Sequence, residues 1–157
     1  MMHSKRSNPR LKDNLIQFSF EAIGTKWVIE IKQDLSDLHK KNLLKIILAR
    51  IEEYDKNYSR FRSDSLITQL SLKKGEYILP EDAKPLFDIY QNLYHLTEGL
   101  FTPMIGNVLD QAGYDANYSL IKKKLTVPLA WEEVIDYNFP KLRIKVPVII
   151  DLGAAGK

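Results

Sequence analysis

Residues 15–32 restrict the fold more than any other stretch of the chain. LIQFSFEA alternates apolar and polar residues, Ile23-Gly24-Thr25 follows, and KWVIEIK alternates again. Alternation of this kind puts Trp27, Ile29 and Ile31 on one face of a strand, and so short a link leaves room only for a tight turn. Gly24 takes a left-handed φ there at little cost. Behind the strands, Leu44, Ile47, Leu48, Ile51 and Tyr54 recur at three- and four-residue spacing. That stripe predicts a helix from residue 36 to about residue 56, with lysines and glutamates on its other face.

The rest of the chain repeats the theme on a smaller scale. Asp64 or Ser65 is placed to cap a short helix through Leu70. Gly75 precedes a small strand in EYILP. A second long helix starts near Glu81, with Leu86, Phe87, Tyr90, Leu93 and Tyr94 inward, and Gly99 is a left-handed terminator for it. A Phe-x-Pro turn then leads into a short helix that Gly113 stops. From Trp131 to Asp151, β-formers and prolines predict two or three strands. The order predicts an α+β fold, with helices packed on a largely antiparallel sheet.

Composition narrows the chemistry. The chain holds no cysteine, which excludes disulfides, thiolate metal sites, a cysteine nucleophile and a lipid-modified cysteine. A net charge of +3 is too mild and too evenly spread to argue for nucleic acid. MMHSKRSNPR is basic and polar with no apolar run behind it, so a disordered tail over residues 1–14 is expected rather than a secretory signal. No stretch approaches the ~20 apolar residues that span a bilayer. A soluble, cytoplasmic protein is the expectation.

Three stretches have chemical potential. In DLGAAGK, a strand ending in Asp151 turns through Gly153 and Gly156 toward Lys157. Free N–H groups at such a turn favour an anion, yet a Gly/Ala turn also serves wherever backbone packs closely. It is not a P-loop, which needs four residues between its glycines and a Ser or Thr after the lysine. In YSRFRSDS, Arg60 and Arg62 flank Phe61: either an aromatic stack with phosphate-neutralising charge, or a surface loop with two solvated arginines. TEGLFTP reads as a turn after a helix stop. His3, His39 and His95 are too scattered for a metal cluster or a catalytic dyad, and Glu52-Glu53 and Glu132-Glu133 read as ordinary surface charges.

Taken in order, these stretches resemble the ApbE-type flavin transferases, FAD:protein FMN transferases once labelled thiamine-biosynthesis lipoproteins. The resemblance rests on Ile-Gly-Thr, Tyr-Ser-Arg-Phe with Asp-Ser-Leu-Ile-Thr-Gln-Leu behind it, Thr-Glu-Gly-Leu-Phe-Thr-Pro, Ala-Gly-Tyr-Asp and Asp-Leu-Gly-Ala-Ala-Gly-Lys. It implies the N-terminal portion of an ApbE, T-fold-like domain over residues 15–157. The implied reaction is Mg²⁺-dependent: FMN passes from FAD to a Thr or Ser hydroxyl of a partner flavoprotein, and AMP is released. The implied partner is a subunit of a respiratory or electron-transferring complex. Position by position, the resemblance gives Ile23, Phe61, Leu100, Phe101, Thr102, Asp151 and Lys157 to the flavin dinucleotide and the Ala154 carbonyl to the metal. No residue is assigned a catalytic role.

Several positions depart from the family pattern. Ile23 stands for a methionine, Leu66 for a glutamate, Thr102 for Asp or Asn, and Ala154-Ala155 for Gly-Ile. The family continues beyond the lysine into a second half that completes the metal site. This chain is therefore expected to be the N-terminal part of a longer protein, inactive alone and exposing apolar surface over residues 148–152. Relatives are often exported lipoproteins, against the cytoplasmic reading here. A non-catalytic flavin-binding or interaction module on the same scaffold is the competing function, and hydrolysis of FAD stands beside transfer.

Overall fold

The computed structural model describes residues 15–155, so the expected tail over 1–14 and Lys157 lie outside the described residues. The chain divides into two compact units, Met1–Ile51 and Glu52–Lys157.

In the first unit, β1 (Leu15–Ala22) and β2 (Thr25–Lys32) pair antiparallel. The register sets Ile16 against Ile31, Phe18 against Ile29 and Phe20 against Trp27, so the apolar residues of both strands share a face, as the alternation predicts. The Trp27 indole stacks on Phe20 with ring centres 6.3 Å apart and donates to the Ala22 carbonyl at 3.0 Å. The turn holds a surprise. Gly24 has φ 63°, but Ile23 also has φ 50°, because a two-residue hairpin turn of this hand needs both central residues left-handed. Helix α1 (Asp37–Tyr58) follows, close to its expected span, and its last residues belong to the second unit.

The second unit holds α2 (Leu66–Leu72), β3 (Gly75–Ile78), α3 (Ala83–Leu96), a 3-10 turn at Pro103–Ile105, α4 (Gly106–Gln111), α5 (Trp131–Val134), β4 (Ile135–Asn138) and β5 (Lys141–Ile144). Its strands form an antiparallel sheet in the order β3-β5-β4. Leu142 and Ile144 of β5 point into a core with Ile67 and Leu70 of α2, Phe87 and Tyr90 of α3, Met104, and Trp131 and Val134 of α5. Tyr137 ties the sheet to α3, its ring 5.4 Å from Phe87 and its hydroxyl donating to Asp88 at 2.8 Å.

The fold is α+β with antiparallel pairing, distributed over two separate sheets. Two local expectations fail. Trp131–Val134 is a helical turn rather than strand, because the Glu133 carboxylate reaches back to accept the Ala130 N–H at 2.9 Å, a capping contact that winds the chain. Residues 148–152 are not an exposed apolar edge: Val148, Ile150 and Leu152 are buried in the core. They are held as a threaded segment rather than a strand. The Ile149 N–H donates to the Asn107 side chain at 3.1 Å and the Ile150 N–H to Ser71 Oγ at 3.2 Å. Side-chain acceptors from α4 and α2 thus satisfy amides that a sheet would otherwise have to satisfy.

Candidate functional site

Asp151 is the centre of the site. Its Oδ2 accepts from Arg60 Nε at 2.6 Å, and its Oδ1 accepts the Gly153 N–H at 2.7 Å. Both side chains are withdrawn from water, 5% exposed for Arg60 and 14% for Asp151. The Asp151 N–H donates to the Pro103 carbonyl at 2.8 Å, which fastens the start of the DLGAA turn to the Thr-Pro turn. A side chain at 153 would bring its Cβ within 2.9 Å of Asp151 Oδ1; glycine is what lets the carboxylate curl over its own turn.

Of the two arginines of YSRFR, Arg60 is withdrawn from water and Arg62 is paired at the surface. Arg60 lies over the Phe61 ring at 4.1 Å, and its Nη2 donates to the Tyr114 carbonyl at 2.6 Å. Arg62 is spent on Asp64 at 3.0 Å, Glu52 at 2.9 Å and Asp55 at 3.3 Å. These acceptors hold its guanidinium charged far above ordinary pH and keep the Asp64 carboxyl below its usual range. Phe61 stacks on Tyr118 with ring centres 5.4 Å apart and 17° between planes, and meets Tyr114 edge-on at 5.5 Å. An aromatic cluster with a cation beneath it therefore adjoins Asp151 through Arg60.

The TEGLFTP stretch closes the other side. Thr97 Oγ1 donates to the Leu93 carbonyl at 2.7 Å and accepts the Phe101 N–H at 2.9 Å, while Gly99 takes φ 86°. The helix stop thereby fixes Phe101, whose ring lies 5.0 Å from that of Tyr90. Thr102 caps the 3-10 turn, its Oγ1 accepting the Met104 N–H at 3.2 Å. Threonine, aspartate and asparagine all cap a helix start with a side-chain oxygen, so this departure keeps a local role that the family's usual residues also suit. Leu100 points outward, 90% exposed.

Two phenols feel the Asp151 charge. Burial, then the charges of Asp151 and Asp82, push Tyr54 up to about 12. Burial and Asp151 push Tyr90 to about 12 as well, with the N–H groups of Ala154 and Ala155 acting against them. Oxygen donors are too few here for Mg²⁺, which demands a near-octahedral shell. Among the described residues no three His, Asp or Glu side chains converge, and both Asp151 oxygens are already bonded. Ala154 offers a carbonyl at most, so no chemical step is assigned to a metal held by these residues alone.

The geometry brings Phe61, Phe101, Thr102, Asp151 and Ala154 into one linked network. The family model that matches is that of the ApbE family, over residues 23–157. The chain belongs to the ApbE family. Solved ApbE structures share its fold. The flavin transferase ApbE of Vibrio cholerae superposes with TM-score 0.75 at 19% identity, over 92% of this chain and 50% of that one. The Pseudomonas stutzeri flavinyl transferase ApbE gives TM-score 0.74 at 16% identity, covering 94% and 52%. The Thermotoga maritima apbe protein gives 0.71 at 19%, covering 91% and 48%. The chain thus spans about half the length of the solved relatives it matches. No curated protein matches it by sequence.

For this ApbE-family chain, sequence reasoning missed Arg60 as the partner of Asp151, since 91 residues separate them. It also missed Tyr54, Tyr114 and Tyr118 as site neighbours. A chemical hint did exist: an aspartate at the end of a buried strand needs a cation, and the arginine beside Phe61 was the candidate within a motif. Ile23 lies in the hairpin turn of the first unit. No helix among the described residues is long and apolar enough to cross a membrane.

Proposed function

We propose that the protein is an FAD:protein FMN transferase. An acceptor Thr or Ser hydroxyl attacks the FMN phosphorus of FAD, the anhydride P–O bond breaks, AMP leaves with the bridging oxygen, and the hydroxyl proton is released. The observation that carries the reading is the Arg60–Asp151 pair at 2.6 Å. It locks the YSRF aromatic, the Thr-Pro turn and the DLGAA turn together, the stretches that the family gives to the dinucleotide.

In this reading the chain's own residues bind and orient. Phe61, held between Arg60, Tyr114 and Tyr118, anchors an aromatic cluster beside the turn. In the 153–155 turn the Gly153 N–H is taken by Asp151 and the Ala155 N–H by the Leu152 carbonyl, which leaves the Ala154 N–H for a pyrophosphate oxygen. Asp151, neutralised by Arg60, shapes the turn without repelling the phosphates. Ile23, Leu100 and Lys157 enter by family position alone, and so do Mg²⁺ at the Ala154 carbonyl and a respiratory or electron-transfer subunit as acceptor. Mg²⁺ would supply charge neutralisation on the pyrophosphate.

The test is incubation of the purified protein with FAD, Mg²⁺ and an acceptor flavoprotein carrying a target threonine. Transfer is expected to give a covalently fluorescent acceptor band and one AMP per flavin attached, both abolished by EDTA. FAD binding with neither product favours the non-catalytic module. Free FMN and AMP without a labelled acceptor favour hydrolysis.

A further inference from the structure

Tyr90 sits on α3 among core residues, 2% exposed, yet its hydroxyl has no hydrogen-bond partner. A phenol inside a core normally finds one, and leaving it unpaired is unfavourable. Its ring is well placed: it packs on Phe101 at 5.0 Å, and Phe101 is fixed by Thr97. Its oxygen faces the Ala154 and Ala155 amides and feels the Asp151 carboxylate. Neither amide reaches it in hydrogen-bond geometry, and the Asp151 oxygens are held by Arg60 and the Gly153 N–H. The orphan thus lies at the turn assigned above to the pyrophosphate and has a proton to give. Tyrosine keeps that proton at neutral pH, so it is a donor there and not an anion.

We infer that Tyr90 is a further binding residue of the flavin site, its hydroxyl donating to a phosphate oxygen of the dinucleotide seated on the 151–155 turn. The inference rests on the flavin reading. It explains why a buried core position carries a hydroxyl where phenylalanine would pack equally well. A hydrogen bond to an anionic oxygen is stronger than one between neutral groups, so the ligand would repay what the empty site forgoes.

The test is Tyr90→Phe, which removes a single oxygen and keeps the ring. Kd values are measured for FAD, for ADP as a pyrophosphate probe and for riboflavin as a phosphate-free one, together with the melting temperature without ligand. The inference expects FAD and ADP to bind about 10-fold more weakly, riboflavin unchanged, and the ligand-free melting temperature equal or higher. The FAD-to-riboflavin affinity ratio decides the matter even if the variant melts lower, because lost packing weakens both ligands together. An unchanged ratio overturns the inference while leaving the flavin reading intact. Failure of the unsubstituted protein to bind FAD overturns the flavin reading, and this inference with it.

Discussion

The Arg60 guanidinium lies where water scarcely reaches it, and Asp151 is its compensation. A buried pair of this kind is costly to break, because the surviving charge is left unpaired; removal of one partner typically costs about 3–5 kcal/mol. Arg60→Ala is therefore expected to lower the urea midpoint by an amount equivalent to about 3 kcal/mol and to abolish FAD binding. The double variant Arg60→Leu, Asp151→Leu should regain part of the stability and none of the binding. Equal stability of the single variant and the parent in urea would show that the pair is not a buried one in solution. At the hairpin, Ile23 holds φ 50°, a region β-branched residues avoid at a cost of order 1–3 kcal/mol. Ile23→Asn, which tolerates that conformation, is expected to raise the thermal midpoint by a few degrees in a melting experiment.

At the scale of elements, the site depends on how the 148–152 segment is threaded. Gly106, at the start of α4, allows this: a Cβ there would fall 2.3 Å from the Ile149 carbonyl oxygen. That contact is with backbone and has nowhere to go. Gly106→Ala is expected to destabilise by about 2–3 kcal/mol, in the range of overpacked cores, and to move Asp151 off Arg60, so that FAD affinity falls with stability. Denaturation and flavin titration of the same variant check both effects. Ser65 shows the opposite case, an element fixed by local chemistry. Its buried Oγ caps α2 by accepting the Thr68 N–H at 3.1 Å and donates to the Ser59 carbonyl at 2.6 Å. Features of that kind were legible: the hairpin, the cap and the apolar stripe of α3 are written in neighbouring residues. The Arg60–Asp151 pair, the burial of Val148, Ile150 and Leu152, and the orphan hydroxyl of Tyr90 are not, because each is created by residues far apart in the chain. The candidate site was approached only through the order of its motifs, which pointed to Phe61 and Asp151 but gave no sign that Arg60 pairs with Asp151.

For the whole molecule, the titrating groups fix a window of stability. Asp64, Asp88 and Asp115 all lie below the ordinary aspartate value of 3.8, held by Arg62, by Lys84 with Tyr137, and by Ser119 respectively. A depressed carboxyl contributes stability that is present above its unfolded pKa and is lost as pH falls through the folded one. The acid limb therefore begins only below about pH 4. Phenols set the other limb. Tyr54 is raised from 10.0 to about 12 by burial and the nearby Asp151 and Asp82 charges. Tyr137 is raised further, by burial and its bond to Asp88. A raised pKa means that the folded state holds its proton more tightly than the unfolded chain, so this contribution is complete below about pH 10 and drains away as pH rises toward about 12. Melting temperature plotted against pH should accordingly be flat across the neutral range and fall on the alkaline side only above about pH 10. Tyr54→Phe is expected to make that alkaline fall shallower, and absorbance at about 295 nm should show one fewer late-ionising phenolate. An alkaline fall as steep in Tyr54→Phe as in the parent would mean that Tyr54 titrates as it does in water, and so is not buried beside Asp151.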